Sequence, residues 1–485
     1  MLFNSIEFVI FILAVLFVLS VIKHLKFQHA FLLFSSYLFF YFSSHYLLSL
    51  LIFSTVLDYY IAKFIYASTK KSTKKILLII SLSCNLGLLG FFKYVNFTIE
   101  QLNSISNINM PYLEIILPIG ISFYTFQTIS YTVDVYRGKL TPSTSFREFA
   151  IFVSFFPQLV AGPILRASNF LPQLRAKINS ATGKFNLRQI TLNKNNVRFG
   201  LTLIAFGFLK KMFFADNIGP LVNDIFLNVS NLESFTVILG AIAFGVQIYG
   251  DFSGYSDIAI GIAAILGFKI PINFNKPYFA TSPVDFWRRW HISLSSWLRD
   301  YLYIPLGGNK KSHLRTYANL TTVMFLGGLW HGASWNFVIW GLMHGVFLSI
   351  QKLFTHKFPK LGENKFFKST MGKIISIIIT QYVIFGTWLA FRINDFDGLT
   401  YALYKYVVWD FQTDVTYSII ENNPFKVSLI IIFFILSFIS YKQKNLPEKI
   451  SKLKTIYWVA FLIWIVVIIL MFFGGGINEF IYFRF

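Results

Sequence analysis

Uncharged apolar stretches close to the thickness of a hydrocarbon core recur along almost the whole chain, and no other feature restricts its folding so strongly. Residues 8–22 with their flanks, 76–92, 235–247 continued through 258–268, 374–391, 427–441 and 456–473 are such stretches. Each approaches the roughly 17 to 25 residues that a helix needs to cross a bilayer. The runs are continuously apolar rather than alternating, which excludes barrel strands, and in lipid only a helix satisfies its own backbone hydrogen bonds. About ten to twelve spanning or re-entrant segments fit the chain. The composition agrees with a bilayer as solvent: 55% of the 485 residues are hydrophobic and only 13% charged, with a mean hydropathy of +0.60. The expected fold class is therefore all-α, a polytopic integral membrane protein.

The first apolar run begins with Glu7 and carries no Lys or Arg ahead of it, and no small-residue cleavage pattern follows. It is expected to be a retained first span rather than a secretory signal. The one cysteine, Cys84, lies inside an apolar segment, so it forms no intramolecular disulfide and is expected to serve packing.

A formal net charge of +22 would suggest nucleic acid on a soluble protein. Here the positive charges fall in short loops that alternate with neutral or acidic ones, which is the positive-inside pattern. Lys23 and Lys26, the cluster Lys70, Lys71, Lys74 and Lys75, Arg137 with Lys139, the basic run 166–198, the lysines of 352–373 and those of 442–454 read as cytoplasmic. The loops holding Glu100, Asp224 with Glu233, and Asp395 to Glu421 read as external. That order places the N-terminus outside. Membrane lipids, not nucleic acid, are the expected surroundings.

A protein built only to span hides its polar groups, so broken helices and polar residues at depth carry the information. Three regions have them. The first, 117–174, holds Pro118, Gly120, Gln127, Asp134, Pro157, Gln158, Gly162 and Pro163. Its middle is too short and broken to span, which leaves a re-entrant segment or a Pro-kinked packing helix. The second holds Asp251, Ser253 and Asp257 within apolar sequence. An EF-hand is excluded, because Ser256 stands where the loop needs Gly and no Glu closes it. Gly250 and Gly254, four apart, permit close helix contact, so these carboxylates either scaffold or touch substrate.

The third region runs from 281 to 351. Ser282, Pro283 and Asp285 are a helix-start signature. Trp287, Trp290, Leu294 and Trp297 then share a helical face, with Arg288, Ser295 and Arg299 on others. The pattern predicts one amphipathic helix lying at the interface, with its Trp side chains at headgroup depth. From 316 to 351 no Asp, Glu, Lys or Arg occurs. One helix of that length would measure roughly 50 Å, so it is expected to break within Gly327-Gly328-Leu329-Trp330-His331-Gly332. His331 then sits deep beside the break, while His344 reads as a hydrogen-bonded core residue.

Several stretches together resemble the membrane-bound O-acyltransferase family, in its bacterial branch of alginate and peptidoglycan O-acetylation subunits. They are Leu117-Pro118-Ile119-Gly120-Ile121-Ser122-Phe123-Tyr124, Phe156-Pro157-Gln158-Leu159-Val160-Ala161-Gly162-Pro163, Asp251-Phe252-Ser253-Gly254-Tyr255-Ser256-Asp257, Asp285-Phe286-Trp287-Arg288-Arg289-Trp290-His291-Ile292-Ser293 and Gly328-Leu329-Trp330-His331-Gly332-Ala333. Gly250 and Arg484 depart from the pattern expected there. The resemblance implies tilted helices around a central tunnel, with His331 as the catalytic histidine and His291 at the second active-site position. Trp330, Trp290, Arg288, Arg289, Asp251, Ser253 and Asn336 are the expected substrate-contacting residues. It also implies no metal and no bound cofactor, with acetyl-CoA as the acyl-thioester donor, and a separate extracytoplasmic esterase-like partner protein.

On this basis 1–485 is expected to form one membrane-embedded acyltransferase domain with a motif-bearing core at 117–351 and C-terminal transmembrane helices in 374–485. The expected activity is O-acetylation of a cell-surface polysaccharide from the bacterial inner membrane. D-alanyl transfer from a carrier protein, or a non-enzymatic transporter or flippase, are the alternatives.

Overall fold

A computed structural model describes residues 1, 3–106, 108–160, 162–179, 193–360, 364–473, 480 and 481. Arg484 and part of the basic run 166–198 lie outside the described residues. Every regular element among those described is helical. Six helical stretches are long and apolar enough to cross a membrane: Leu25–Ala67, Lys71–Ser106, Ser234–Ile265, Trp335–Lys357, Thr370–Arg392 and Pro424–Lys442. Ile6–Val21 and Thr455–Met471 are shorter apolar helices. The chain is a multi-pass membrane protein. By contact it divides into two compact units, residues 1–205 with 255–271 and residues 206–254 with 272–485.

The first unit contains α1 (Ile6–Val21), α2 (Leu25–Ser44), α3 (Leu48–Ala67), α4 (Lys71–Ser106), α5 (Ile121–Tyr136), α6 (Phe146–Ser154), α7 (Phe156–Leu159), α8 (Ala167–Asn179) and most of α9 (Lys194–Phe208). Ser5 Oγ caps α1 by accepting the Phe8 N–H. On α1, Phe8, Phe11, Val15 and Leu19 are buried while Ile6, Ile10, Leu13 and Phe17 are exposed. This spacing turns one apolar face to protein and a second to lipid. Between α3, α4 and α5 the fully buried Asp58 accepts hydrogen bonds from Ser81 Oγ at 2.5 Å, Asn85 Nδ2 at 2.8 Å and Thr132 Oγ1 at 3.0 Å. Three donors on one carboxylate offset part of the cost of holding it away from water.

The middle of the first broken region is a short buried segment. Pro157 stands in the first turn of α7, whose four residues are all buried. Ser36 Oγ accepts the Phe156 N–H at 3.3 Å, and Gln158 Nε2 donates to Gln127 Oε1 at 3.2 Å. Gly120, with φ +78°, starts α5, and a Cβ there would meet the Leu159 carbonyl oxygen at 2.6 Å. Only glycine allows both that backbone conformation and that approach.

The second unit begins with the end of α9, a π-helical turn Leu209–Ala215, α10 (Asp216–Ile225) and the first part of α11 (Ser234–Ile265). It continues with α12 (Pro283–Trp287), α13 (Ile292–Leu298), α14 (His313–His331), α15 (Trp335–Lys357), α16 (Lys365–Lys368), α17 (Thr370–Arg392), α18 (Phe396–Val407), α19 (Asp414–Asn422), α20 (Pro424–Lys442), α21 (Leu446–Ser451) and α22 (Thr455–Met471). Asp251 does not interrupt a helix: α11 runs unbroken through it. The carboxylate is instead satisfied by Lys211 Nζ at 2.7 Å and by the Ile481 N–H at 2.7 Å. Lys211 also pairs with Asp216 at 2.8 Å. The departure at Gly250 is explained by close crossing, since Cβ atoms there and at Gly254 would meet the Lys210 carbonyl oxygen at 2.9 Å and that of Gly207 at 2.7 Å.

The single amphipathic helix expected after Ser282 is two short helices. Ser282 Oγ does accept the Asp285 N–H and Pro283 does open the first turn. Then α12 ends after five residues, and His291, at φ +43° and ψ +54°, turns the chain into α13. Trp287, Trp290 and Trp297 are buried within the protein rather than presented on an exposed face. Periodicity alone missed this because the left-handed turn restores the spacing on its far side.

The long uncharged stretch does break, at the last residue of the expected segment. α14 continues through Gly327 and Gly328 to His331, and Gly332–Ser334 makes the turn into α15. Gly328 serves contact instead: a Cβ there would lie 2.2 Å from the Phe337 carbonyl oxygen and 3.1 Å from the Gly341 Cα.

Candidate active site

Two histidines and a cluster of tryptophans come together in the second unit. Residues 273–275 lie along 289–292, with the Asn275 N–H on the Arg289 carbonyl and the Ile292 N–H on the Asn273 carbonyl, both at 2.9 Å. This pairing holds the left-handed turn at His291. The Asn273 side-chain oxygen receives the Ser293 N–H at 3.3 Å and the Ser293 hydroxyl at 2.8 Å. That orients the amide with its oxygen toward His291 Nδ1, 3.2 Å away. An acceptor there requires Nδ1 to carry the proton, so Nε2 is left as a bare lone pair.

Nε2 has no hydrogen-bond partner among the described residues, and the His291 side chain is fully buried. Burial pushes its pKa down to about 3, which keeps the imidazole neutral. Phe252 meets the ring edge-on at 4.7 Å, and Phe480 packs on Phe252 at 5.5 Å. Asp251 therefore holds its neighbour Phe252 and the segment at Ile481 beside His291 rather than offering a free oxygen. Ser253 is fully buried, and its hydroxyl finds no partner among the described residues.

His331 closes α14 as its last residue. Trp330 lies between the histidines, its ring 6.0 Å from that of His291 and 5.0 Å from that of His331. Trp340 of α15 stands perpendicular to His331 at 4.9 Å and Phe391 of α17 lies 5.3 Å away. Trp290 stacks on Phe286 and contacts Trp388 of α17 at 4.9 Å, and Trp388 stacks on Trp340 at 6.1 Å. Gly332 admits Phe337 against the turn, because a Cβ there would lie 2.1 Å from that ring. The result is two imidazoles, one of them held neutral, set in aromatic walls, an environment that strengthens local dipoles.

His344 belongs to the core, as its sequence position implied. The Trp287 indole donates to Nδ1 at 3.3 Å, so Nε2 carries the proton and faces Thr387 Oγ1 at 3.1 Å. Both nitrogens are committed. Asn336 is committed as well, since its amide donates to the Ile393 carbonyl and ties α15 to the end of α17. Arg288 is exposed, and Arg289 pairs with Asp285 at 2.9 Å. Arg289 and Asp285 line a cavity of about 500 Å³ together with Thr281, Lys373, Ser376 and the aromatic rings of Phe279, Phe367 and Tyr441. No group of three or more metal-ligating side chains occurs among the described residues.

Of the residues singled out in the sequence, His291, His331, Trp330 and Trp290 thus share one cluster, with Asp251 acting on it through Phe252. Asn273, Trp340, Trp388 and Phe391 join them without having been expected. The three aromatics lie in uncharged spans where a core role is the ordinary expectation, and only the position of the histidines sets them apart.

A family model described as MBOAT, the membrane-bound O-acyltransferase family, matches residues 31–392. Among characterised proteins, the chain is 39% identical over 375 residues to a peptidoglycan O-acetyltransferase of Helicobacter pylori, covering 72% of this chain and 68% of the relative. It is 39% identical over 417 residues to a probable alginate O-acetylase, AlgI, of Pseudomonas aeruginosa, covering 84% and 76%. A teichoic acid D-alanyltransferase of Bacillus subtilis is more distant, 30% identical over 288 residues, covering 56% and 68%.

Proposed function

The chain belongs to the membrane-bound O-acyltransferase family and is an acyltransferase, and on that premise we propose that it O-acetylates a polysaccharide of the bacterial cell envelope. The donor is a cytoplasmic thioester, acetyl-CoA, and the acetyl group passes across the inner membrane to an extracytoplasmic acceptor. The observation that carries this function is the His291–Trp330–His331 cluster, with an imidazole Nε2 held neutral and open inside aromatic walls. Acyl transfer to a hydroxyl needs an imidazole base, for which His331 stands beside this group, in a place where water cannot take the acyl group first.

His331 acts as the base toward the acceptor. His291, with its proton on Nδ1, presents an acceptor nitrogen and orients the group that donates to it. The cavity beside Arg289 and Lys373 supports a donor carrying phosphates, because two cations there would meet them. Arg288, exposed beside it, acts at longer range. A separate extracytoplasmic esterase-like protein then carries acetyl to the polymer.

The identities to peptidoglycan and alginate O-acetylating relatives, set against lower identity to D-alanyl transferases, favour acetyl over D-alanyl. The test is turnover by the purified protein in lipid vesicles supplied with acetyl-CoA. Thioester consumption by the wild type and its loss by a factor of about 10³ or more in a folded His331→Ala protein are expected. Native turnover in that variant refutes the assignment of His331, and vesicle uptake of an acyl or glycan compound without thioester cleavage refutes the enzyme reading in favour of a transporter. Polysaccharide from a deletion strain is expected to lack O-acetyl groups.

A further inference from the structure

We propose that the indole N–H groups of Trp340 and Trp388 bind the oxyanion of the tetrahedral intermediate; this deepens the acyl-transfer function above and rests on it. In that step the acceptor oxygen bonds to the thioester carbonyl carbon and the carbonyl π pair moves onto its oxygen. The hydroxyl proton passes to a histidine. Collapse restores the carbonyl, breaks the carbon–sulfur bond and expels the thiolate, which takes the proton back. Between these events a full negative charge sits on one oxygen in a dry site, and hydrogen-bond donors must already point at it.

His291 does not supply that donor. Its one proton is spent on Asn273, and burial keeps the second from binding, so Nε2 only accepts. Trp340 and Trp388 are each 1% exposed, and neither indole nitrogen has an acceptor among the described residues. The fold satisfies a buried indole elsewhere: Trp287 donates to His344. A buried donor left unmade costs roughly 1–3 kcal/mol, so two on stacked rings are an expense that a missing acceptor would explain. Trp340 touches His331 and Trp388 touches Trp290, which places the pair among the walls of the histidine cluster. An indole N–H is a donor only and carries no titratable proton near neutral pH, which suits a neutral site that must stabilise a transient anion.

The experiment measures acetyl-CoA turnover in vesicles for Trp340→Phe and Trp388→Phe beside wild type and His331→Ala. For at least one of the two variants kcat is expected to fall about 10²-fold, with KM for the thioester changed less than about threefold. Replacing the affected tryptophan by 3-benzothienylalanine keeps the bicyclic shape and deletes only the donor, and the same loss is expected. If kcat stays within about threefold of wild type in both phenylalanine variants, the proposal is wrong. A loss with phenylalanine that benzothienylalanine restores also overturns it, since packing on His331 then accounts for the effect. Where the wild type itself turns over no thioester, the acyl-transfer premise has failed instead.

Discussion

At the scale of single residues, environment decides what each titratable group can do. His291 and His344 are both buried, yet His344 has a partner on each nitrogen and His291 on one. The first is thereby structural and the second chemically open. Burial of His291 also carries a stability signature. The unfolded imidazole takes a proton near its ordinary value of about 6.5, whereas the native one resists it down to about 3, so the unfolded state binds more protons between those limits. Stability from this group is complete above about pH 6.5 and is lost as the pH falls toward 3. Thermal unfolding in detergent between about pH 7 and pH 4 is expected to drop more steeply for wild type than for His291→Asn. Asparagine tolerates the left-handed turn but does not titrate there. Parallel curves would mean that His291 is not held neutral. Asp58 shows the same dependence on surroundings, its buried carboxyl group met by three neutral donors from two neighbouring helices.

At the scale of elements, glycine positions govern how closely helices approach. The α14 and α15 pair makes the most extensive helix–helix contact in the molecule, and it closes over Gly328 and Gly341. A methyl group at either position would meet backbone, Phe337 O at 2.2 Å or Met324 O at 2.4 Å, and backbone cannot rotate away. Gly328→Ala is therefore expected to push the hairpin apart and displace Trp340 from His331. Turnover should fall at least tenfold, with a lower thermal midpoint, whereas Gly90→Ala on α4, where a Cβ meets nothing within 4 Å, should change neither. Equal turnover in the two variants would show that the site does not depend on that approach. Within the 327–332 segment Gly332 is the residue at the break and Gly328 the one at the crossing, a division invisible in sequence because glycine at a kink and glycine at a crossing look alike until the opposing backbone is known.

At the scale of the whole molecule, charge placement bears on orientation. α4 is one continuous helix with Lys71, Lys74 and Lys75 at one end and Glu100 toward the other, roughly 39 Å from Lys74 at 1.5 Å per residue. That length exceeds a hydrocarbon core of about 30 Å, so the two ends meet opposite aqueous phases. In a Cys84→Ser background, an impermeant maleimide added outside intact cells is expected to label Glu100→Cys and spare Lys74→Cys; the reverse pattern would invert the topology with the N-terminus outside. The bilayer solvent, the helical class and the family were all legible from the chain itself. Continuous apolar runs admit one backbone solution in lipid, and five motifs in order are a local record. His331 and His291 were singled out from the same motifs, and the structure brings both against Trp330. Only the tertiary structure decided that the Trp287 to Trp297 segment bends at His291, that Asn273 sets the proton on Nδ1, and that Asp251 is spent on Lys211 and Ile481. It also decided that Trp340 stands against His331 and Trp388 against Trp340, with both indole N–H groups unmet among the described residues. Those facts depend on ring contacts and on hydrogen bonds, the latter between residues from 18 to 230 positions apart. Periodicity records which face of a helix is apolar, but not which distant group that face will meet.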